Sequence, residues 1–199
     1  MIVHARSQPP AQRGVVLVSA MLLLIVMTIL ALYMFRSNGA QELIAGNIRE
    51  KQRAIQTAEA AELYAEMWLT TSSNAMTPSV DCSALPLASW PNVPVICSNP
   101  LTSVIAPALA TTLPWAVAGV GEIGFKYFPG PTTGTGDLTV QATGGANTYY
   151  QVPRFYIGLV PSSYNGHQAL FRIDAWNYAG TQNTASVVES NYVVTCSLC

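Results

Sequence analysis

Val15–Phe35 reads VVLVSAMLLLIVMTILALYMF, 21 residues without a charge, directly behind Gln12-Arg13-Gly14. At about 1.5 Å per helical residue such a run is as long as the hydrocarbon core of a bilayer is thick. A secretory signal has a shorter apolar region and ends in small residues of the A-x-A kind. Here the small residue, Gly14, precedes the apolar run and Arg13 stands beside it. A cut between Gly14 and Val15 would release a short polar leader, residues 1–14, and leave the apolar helix on the mature chain. The fold is therefore organised around an N-terminal helix that is kept.

Beyond that helix the composition changes. The chain has 199 residues, enough for one domain outside the anchor. Loss of residues 1–14 would remove Arg6 and Arg13 and take the formal charge from −1 to −3, seven basic residues against ten acidic. Clustered Lys and Arg of a nucleic-acid surface are absent from this pattern, and no nucleic-acid partner is expected. Residues 36–66 hold nine charges, from Arg36 to Glu66, whereas everything after Leu69 holds eight. The second half is rich in Thr, Ser, Gly, Pro, Val and aromatics, which suits an exported β-rich domain.

No proline occurs between Pro10 and Pro78, so residues 15–69 read as one helix. Residues 15–35 form its transmembrane or assembly half. Residues 36–69 form an amphipathic half in which Leu43, Ile44, Ile48, Ile55, Ala58, Leu63 and Leu69 recur at roughly helical spacing. Gly39 and Gly46 are weak points in it, each costing up to about 1 kcal/mol relative to alanine. Residues 70–118 carry seven prolines and read as a loop region. Residues 119–199 read as an antiparallel β-sheet domain, with strands expected at Glu122–Tyr127, Asp137–Ala142, Arg154–Val160, Ala169–Tyr178 and Ala185–Val194. Turn signals such as Gly144-Gly145 and Ala179-Gly180 separate them. One long helix followed by strands is α+β, the amphipathic half covering the sheet.

Cysteines stand at 82, 97, 196 and 199, all beyond the apolar run. Arg6 and Arg13 before that run against Arg36 after it, taken together with the leader, favour the C-terminal part outside the cytoplasm, where disulfides persist. Four cysteines allow three pairings. Local spacing favours Cys82–Cys97 and Cys196–Cys199.

The leader arrangement resembles the class III leader of type IV pilins and pseudopilins. Two further segments narrow that resemblance. Glu42-Leu43-Ile44-Ala45-Gly46-Asn47-Ile48-Arg49-Glu50, continued by Ala54-Ile55-Gln56-Thr57-Ala58-Glu59-Ala60-Ala61, resembles the "AGN-x-R … A-x-Q-x-AEAA" signature of PilX-type minor pilins. Phe171-Arg172-Ile173-Asp174-Ala175, with Val187-Val188-Glu189-Ser190-Asn191-Tyr192, resembles the terminal hairpin of the same family. The resemblance covers about half the chain and implies a pilin-like fold. It implies a minor pilin that helps prime and cap a type IV pilus within a tip complex, serving assembly, adhesion and twitching motility. The implied partners are other minor pilins, the major pilin, a large adhesin-like tip protein, the prepilin peptidase and the inner membrane. The implied route is a single-pass inner-membrane protein with a periplasmic C-terminal domain, then an extracellular pilus tip. The alternatives are a type II secretion minor pseudopilin and a signal-anchored periplasmic binding domain or enzyme.

One position departs from the family. Five residues after the cut, where most major pilins carry glutamate, stands Ser19. A lone acid inside a membrane is costly unless it has a partner. A subunit without it has no comparable reason to dock beneath another subunit, which fits a tip or initiating role. The bland reading is that Ser19 bonds back within its own helix.

Other motifs carry little. Gly119-Val120-Gly121-Glu122-Ile123-Gly124 spells G-x-G-x-x-G, but no strand and helix flank it and no acid follows at the required distance. Cys196-Ser197-Leu198-Cys199 has no helix to open and reads as structural. Ser163, His167 and Asp174 could be named as a triad, but no nucleophile elbow exists. Trp90, Trp115 and Trp176 are expected in the core. No catalytic group, cofactor or metal site is expected.

Overall fold

A computed structural model describes residues 13–71, 74–86, 90, 93–101, 113, 115–117, 121–127, 138–145, 147–161 and 167–195. The chain divides into two compact units, Met1–Asn47 and Ile48–Cys199. Helix α1, Arg13–Thr70, runs unbroken for 58 residues. A Cβ at Gly39 or Gly46 would meet nothing within 4 Å, so neither glycine marks a close contact.

The helix ends where hydroxyls and an amide take over its last carbonyls. The Thr71 amide and hydroxyl both donate to the Met67 carbonyl, and Asn74 Nδ2 donates to the Trp68 carbonyl at 2.6 Å. These groups satisfy acceptors that a helix terminus otherwise leaves unpaired.

Among the described residues six strands follow: β1 (Ala116–Val117), β2 (Gly121–Glu122), β3 (Phe125–Lys126), β4 (Arg154–Leu159), β5 (Gln168–Tyr178) and β6 (Ala185–Thr195). β1 and β2 make a small antiparallel pair, and the main sheet has the order β3-β4-β5-β6, all antiparallel. The β5–β6 hairpin is its longest ladder, pairing Gln168 with Thr195 at one end and Tyr178 with Ala185 at the other. Beside the distal half of β4, Cys97 bridges to Gly158, and Val80 bridges to Cys97 in turn. The Cys97 amide donates to the Ile157 carbonyl and its carbonyl accepts from Leu159, each at 2.8 Å. Cys97 is joined to Cys82 by a disulfide, Cα to Cα 5.4 Å.

Two strand expectations need correction. Asp137–Ala142 is not a strand in its described part. Val140 makes one isolated bridge to Tyr149, and the chain turns straight afterwards. The span 122–127 is not one strand but the ends of two. Gly124, at φ +102°, breaks it so that β2 and β3 join different sheets. A Cβ at Gly124 would lie 2.5 Å from the Trp176 ring, so a side chain is excluded by both backbone and space.

In the second unit α1 covers one face of the main sheet. Asn177 Nδ2 donates to Thr57 Oγ1 at 2.7 Å, and the Tyr64 ring lies 5.8 Å from Phe155. Side chains alternate along a strand, so Phe155 and Ile157 of β4 and Phe171, Ile173 and Ala175 of β5 share that face. All are buried. On the helix Ala54, Ala58, Ala61, Ala65 and Leu69, spaced by four and three, are each at most 1% exposed, and the last three join the same buried cluster as those strand residues. This corrects the expected apolar face in part, since Ala58 and Leu69 are buried as expected. Leu43, Ile44, Ile48 and Leu63 are 52–72% exposed. Small side chains let helix and sheet backbones approach, and the aromatics of the sheet fill the space that alanine leaves. Overpacking this seam by Ala58→Leu should cost about 1–3 kcal/mol. Leu63→Ala, which removes more apolar atoms from an exposed position, should stay within about 0.5 kcal/mol. Chemical denaturation of the two variants checks the contrast, and equal losses would contradict it.

The opposite face carries Arg154, Tyr156, Arg172, Asp174, Trp176 and Tyr178. Trp115 stacks on Trp176 at 5.2 Å and its Nε1 donates to the Tyr178 hydroxyl at 3.4 Å. Trp90 sits 5.7 Å from Phe125 and 6.4 Å from Tyr156. The three tryptophans are buried, as core packing requires.

Candidate assembly surface

In the first unit the site is the apolar stretch of α1. Every large apolar side chain from Val15 to Phe35 is exposed, and mean hydropathy over an 18-residue window reaches 3.0. Its two aliphatic hydroxyls are satisfied within the helix. Ser19 Oγ donates to the Val16 carbonyl at 3.0 Å, and Thr28 Oγ1 to the Ile25 carbonyl at 2.8 Å. A hydrocarbon environment offers no other acceptor, so back-bonding lets the segment sit there. Gly14 and Val15 lie in the first turn of α1, and residues 1–12 fall outside the described residues.

In the second unit, the part of α1 that begins at Glu50 is tied to the sheet through polar contacts at one end of the alanine seam. Glu50 Oε2 accepts from the Gly180 amide at 2.8 Å, and its Oε1 accepts from Arg53 Nη1 at 2.9 Å. Lys51 Nζ donates to the Ala185 carbonyl at 2.7 Å. Arg53 Nη2 donates to the Thr148 carbonyl at 2.8 Å, and its guanidinium lies 4.7 Å above the Tyr149 ring. Partial burial works against the Glu50 charge, but the Gly180 amide and Arg53 outweigh it and hold the carboxyl below its ordinary value. Gly180 is there because nothing larger fits. A Cβ would fall 2.2 Å from the Gly145 carbonyl oxygen and 3.0 Å from Glu50 Oε2. Four consecutive functions thus come from one short stretch of helix: Glu50 and Lys51 hold the two ends of the β5–β6 turn, Arg53 holds the 144–150 loop, and Thr57 holds Asn177.

Residues 13–61 match the PilX N-terminal family model. This N-terminal segment is similar to that of PilX-type pilins. The match runs from the first turn of α1 through the apolar stretch, the polar ties and the first three buried alanines, and includes none of the sheet. No curated protein and no solved structure matches the chain. The apolar helix and the family fit membrane anchoring, and the family implies association with other pilus components. Within this chain the signature has a physical meaning. Its alanines make the seam and its charged residues fasten both margins of the hairpin.

The remaining sequence candidates are scattered. Cys82 and Cys97 form the disulfide already described, while Cys196, Cys199 and Ser163 lie outside the described residues. His167 is exposed just before β5. Asp174 is buried further along β5 between Arg172, 3.4 Å away, and Glu189, which Arg172 also pairs. Burial raises the Asp174 carboxyl above its ordinary value, with Arg172 opposing. Among the described residues no group of three His, Cys, Asp or Glu could hold a metal ion.

Sequence reasoning missed one ionic pair. Glu122 and Arg154 face each other at 3.8 Å with side chains 9% and 14% exposed. Burial drives the Glu122 carboxyl up and the Arg154 guanidinium down from their ordinary values, with their mutual attraction opposing both shifts. The available signal was scarcity: a half-chain with eight charges that buries two of them against each other is using them for something.

Proposed function

We propose that this chain is a minor pilin, taking part in priming and capping a type IV pilus as a member of a tip complex. Its role is structural rather than enzymatic. In this reading residues 1–14 are a leader removed by prepilin peptidase, residues 15–35 hold the chain in the inner membrane, and the part beyond them is periplasmic. The mature chain then passes to the pilus tip, beside other minor pilins and the major pilin and beneath a large adhesin-like protein.

The observation that carries the tip assignment is Ser19. With the cut after Gly14 it occupies the fifth mature position, where a bulk pilin needs a carboxylate to meet a neighbour's terminal amine. Ser19 bonds back to the Val16 carbonyl, as an ordinary helix serine does, so the assignment rests on the missing carboxylate alone. A chain of this kind is expected in a few copies at one end of each fibre. Immunogold labelling of sheared fibres tests this. Labels confined to one end support the proposal, and labels along the shaft at major-pilin density would overturn it. Ser19→Glu should impair function, because an unpaired acid costs about 2.5–3.5 kcal/mol at the centre of a membrane helix on insertion scales.

A further inference from the structure

Above the Glu122–Arg154 pair opens a polar cleft of about 370 Å³, lined by Glu122, Tyr150, Gln151, Tyr178, Gln182 and Asn183. That volume is at the small end of the range for ligand sites, roughly 300–1,000 Å³. Its walls are pinned. The Tyr150 amide donates to the Ala179 carbonyl at 2.8 Å, its ring meets Tyr178 edge-on at 5.7 Å, and its hydroxyl donates to Gln182 Oε1 at 3.3 Å. The Ala179 amide donates to the Thr184 carbonyl at 3.0 Å, closing the turn that carries Gln182 and Asn183. From the other side Trp115 Nε1 donates to the Tyr178 hydroxyl, and Glu122 is held in register opposite Ala116. A cleft fixed in this way spends little ordering entropy on binding.

The carboxylate in its wall is held by side-chain hydrogen bonds from Tyr178 and Gln151, and one of its two oxygens is left over. Glu122 Oε2 and Arg154 Nε are buried, have no hydrogen-bond partner among the described residues, and stand 3.8 Å apart. Arg154 spends Nη1 on the Gly124 carbonyl at 3.0 Å and does not line the cleft. A buried pair held at such a distance recovers only part of its desolvation cost, so it is a poor device for stability alone.

The lining decides the class of ligand. No cation faces the cleft, which argues against phosphate or carboxylate. Single carboxylates do not hold a divalent metal by themselves. The wall is too polar for an acyl chain. Three side-chain amides and two phenols both donate and accept, and tyrosine rings offer apolar faces to C–H groups. Vicinal hydroxyls donating to a carboxylate give charge-assisted bonds without requiring a charged ligand. We propose that this cleft binds a neutral saccharide of one or two rings, with Glu122 accepting from its hydroxyls and the amides of Gln151, Gln182 and Asn183 reading the rest. The proposal is independent of the tip assignment, since it concerns binding by the purified chain.

Saturation-transfer difference NMR on the full chain in detergent micelles tests it. The probes are glucose, galactose and lactose in one arm, and N-acetylglucosamine and its β-1,4 disaccharide in the other. The two arms separate a surface-glycan source from a cell-wall source. Binding with Kd near 1 mM is expected in one arm, as for other contacts of about 4 kcal/mol. Tyr150→Ala and Gln182→Ala stand at the rim and leave the core intact; each should weaken binding at least about tenfold, and Glu122→Gln should do the same if it folds. Absence of transfer in both arms up to about 10 mM, ten times that Kd, would overturn the proposal. So would transfer that the two rim variants leave unchanged, or a stronger signal from an anionic sugar acid.

Discussion

Trp176→Ala should destabilise the second unit by about 3–5 kcal/mol, the usual cost of emptying a buried tryptophan site. The indole is 1% exposed, stacks on Trp115 at 5.2 Å and fills the space above Gly124. Two effects compete. Truncation leaves a cavity that β5 cannot close, because its backbone is laddered on both sides to β4 and β6. Against this, Trp176 Nε1 meets no acceptor at full hydrogen-bond geometry among the described residues but does interact with the Glu122 carboxylate, so its removal relieves at most part of a burial cost of about 1–3 kcal/mol. The cavity wins, but the net effect should fall toward the lower end of the range. Guanidinium unfolding of the full chain in micelles, followed by near-ultraviolet circular dichroism, measures it. A loss under about 1 kcal/mol would show that Trp115 and Gly124 do not hold the indole as described, since repacking alone recovers little in a dense core.

Replacing Cys82 and Cys97 together by alanine should cost about 3 kcal/mol, the chain-entropy value for a loop of about 15 residues. Alanine is the informative choice, because both sulfurs are fully buried and serine would add an unsatisfied hydroxyl. The loop has other closures. The Val80 amide donates to the Ile96 carbonyl at 2.9 Å, the Ser98 amide to the Val80 carbonyl at 2.8 Å, and Tyr156 Oη to the Asn99 carbonyl at 2.6 Å. These preserve the native position of residues 96–99, so the cost should come through the unfolded chain. Wild type treated with reductant should match the double variant, and the variant should be insensitive to reductant. Unchanged stability on removal of the bridge would mean that the hydrogen bonds close the loop without it.

The helix and the hairpin could be read from sequence because each rests on a local signal. A proline-free run from Val15 to Leu69 can hardly be anything but helix, and β5–β6 announces itself through β-branched and aromatic residues flanking Ala179-Gly180. The buried face of α1 could not be read in the same way. Apolarity ranks Leu43, Ile44, Ile48 and Leu63 above alanine, yet closeness of approach selects Ala54, Ala58, Ala61 and Ala65. That choice is made by the sheet, whose Phe155 and Phe171 already fill the volume. The strand expected at Asp137–Ala142 failed in its described part for a related reason: among the described residues, β-propensity at Leu138, Thr139 and Val140 meets only the bridge to Tyr149. For the polar ties, position in the sequence was visible but role was not. Gly14, Val15 and Ser19 were marked by their order around the apolar run. Glu50, Lys51 and Arg53 stand inside the family signature, but their partners at Gly180, Ala185 and Thr148 are about a hundred residues away in sequence. Glu122 and Arg154 meet only because β3 pairs Lys126 with Arg154, a register that no local pattern encodes.

The central claim is that this chain is a pilin which keeps its apolar helix. In the proposed reading, cleavage after Gly14 would depend on a small residue beside the scissile bond and would leave a new amine on Val15 at the head of that helix. The direct measurement is mass spectrometry of the N-terminal peptide of the chain recovered with sheared fibres. The account predicts an N-terminus at Val15, with residues 15–35 intact, and its loss from fibres when Gly14 is replaced by a bulky charged residue. An N-terminus beyond Phe35 would mean that the apolar run is a conventional signal peptide, and would contradict the account.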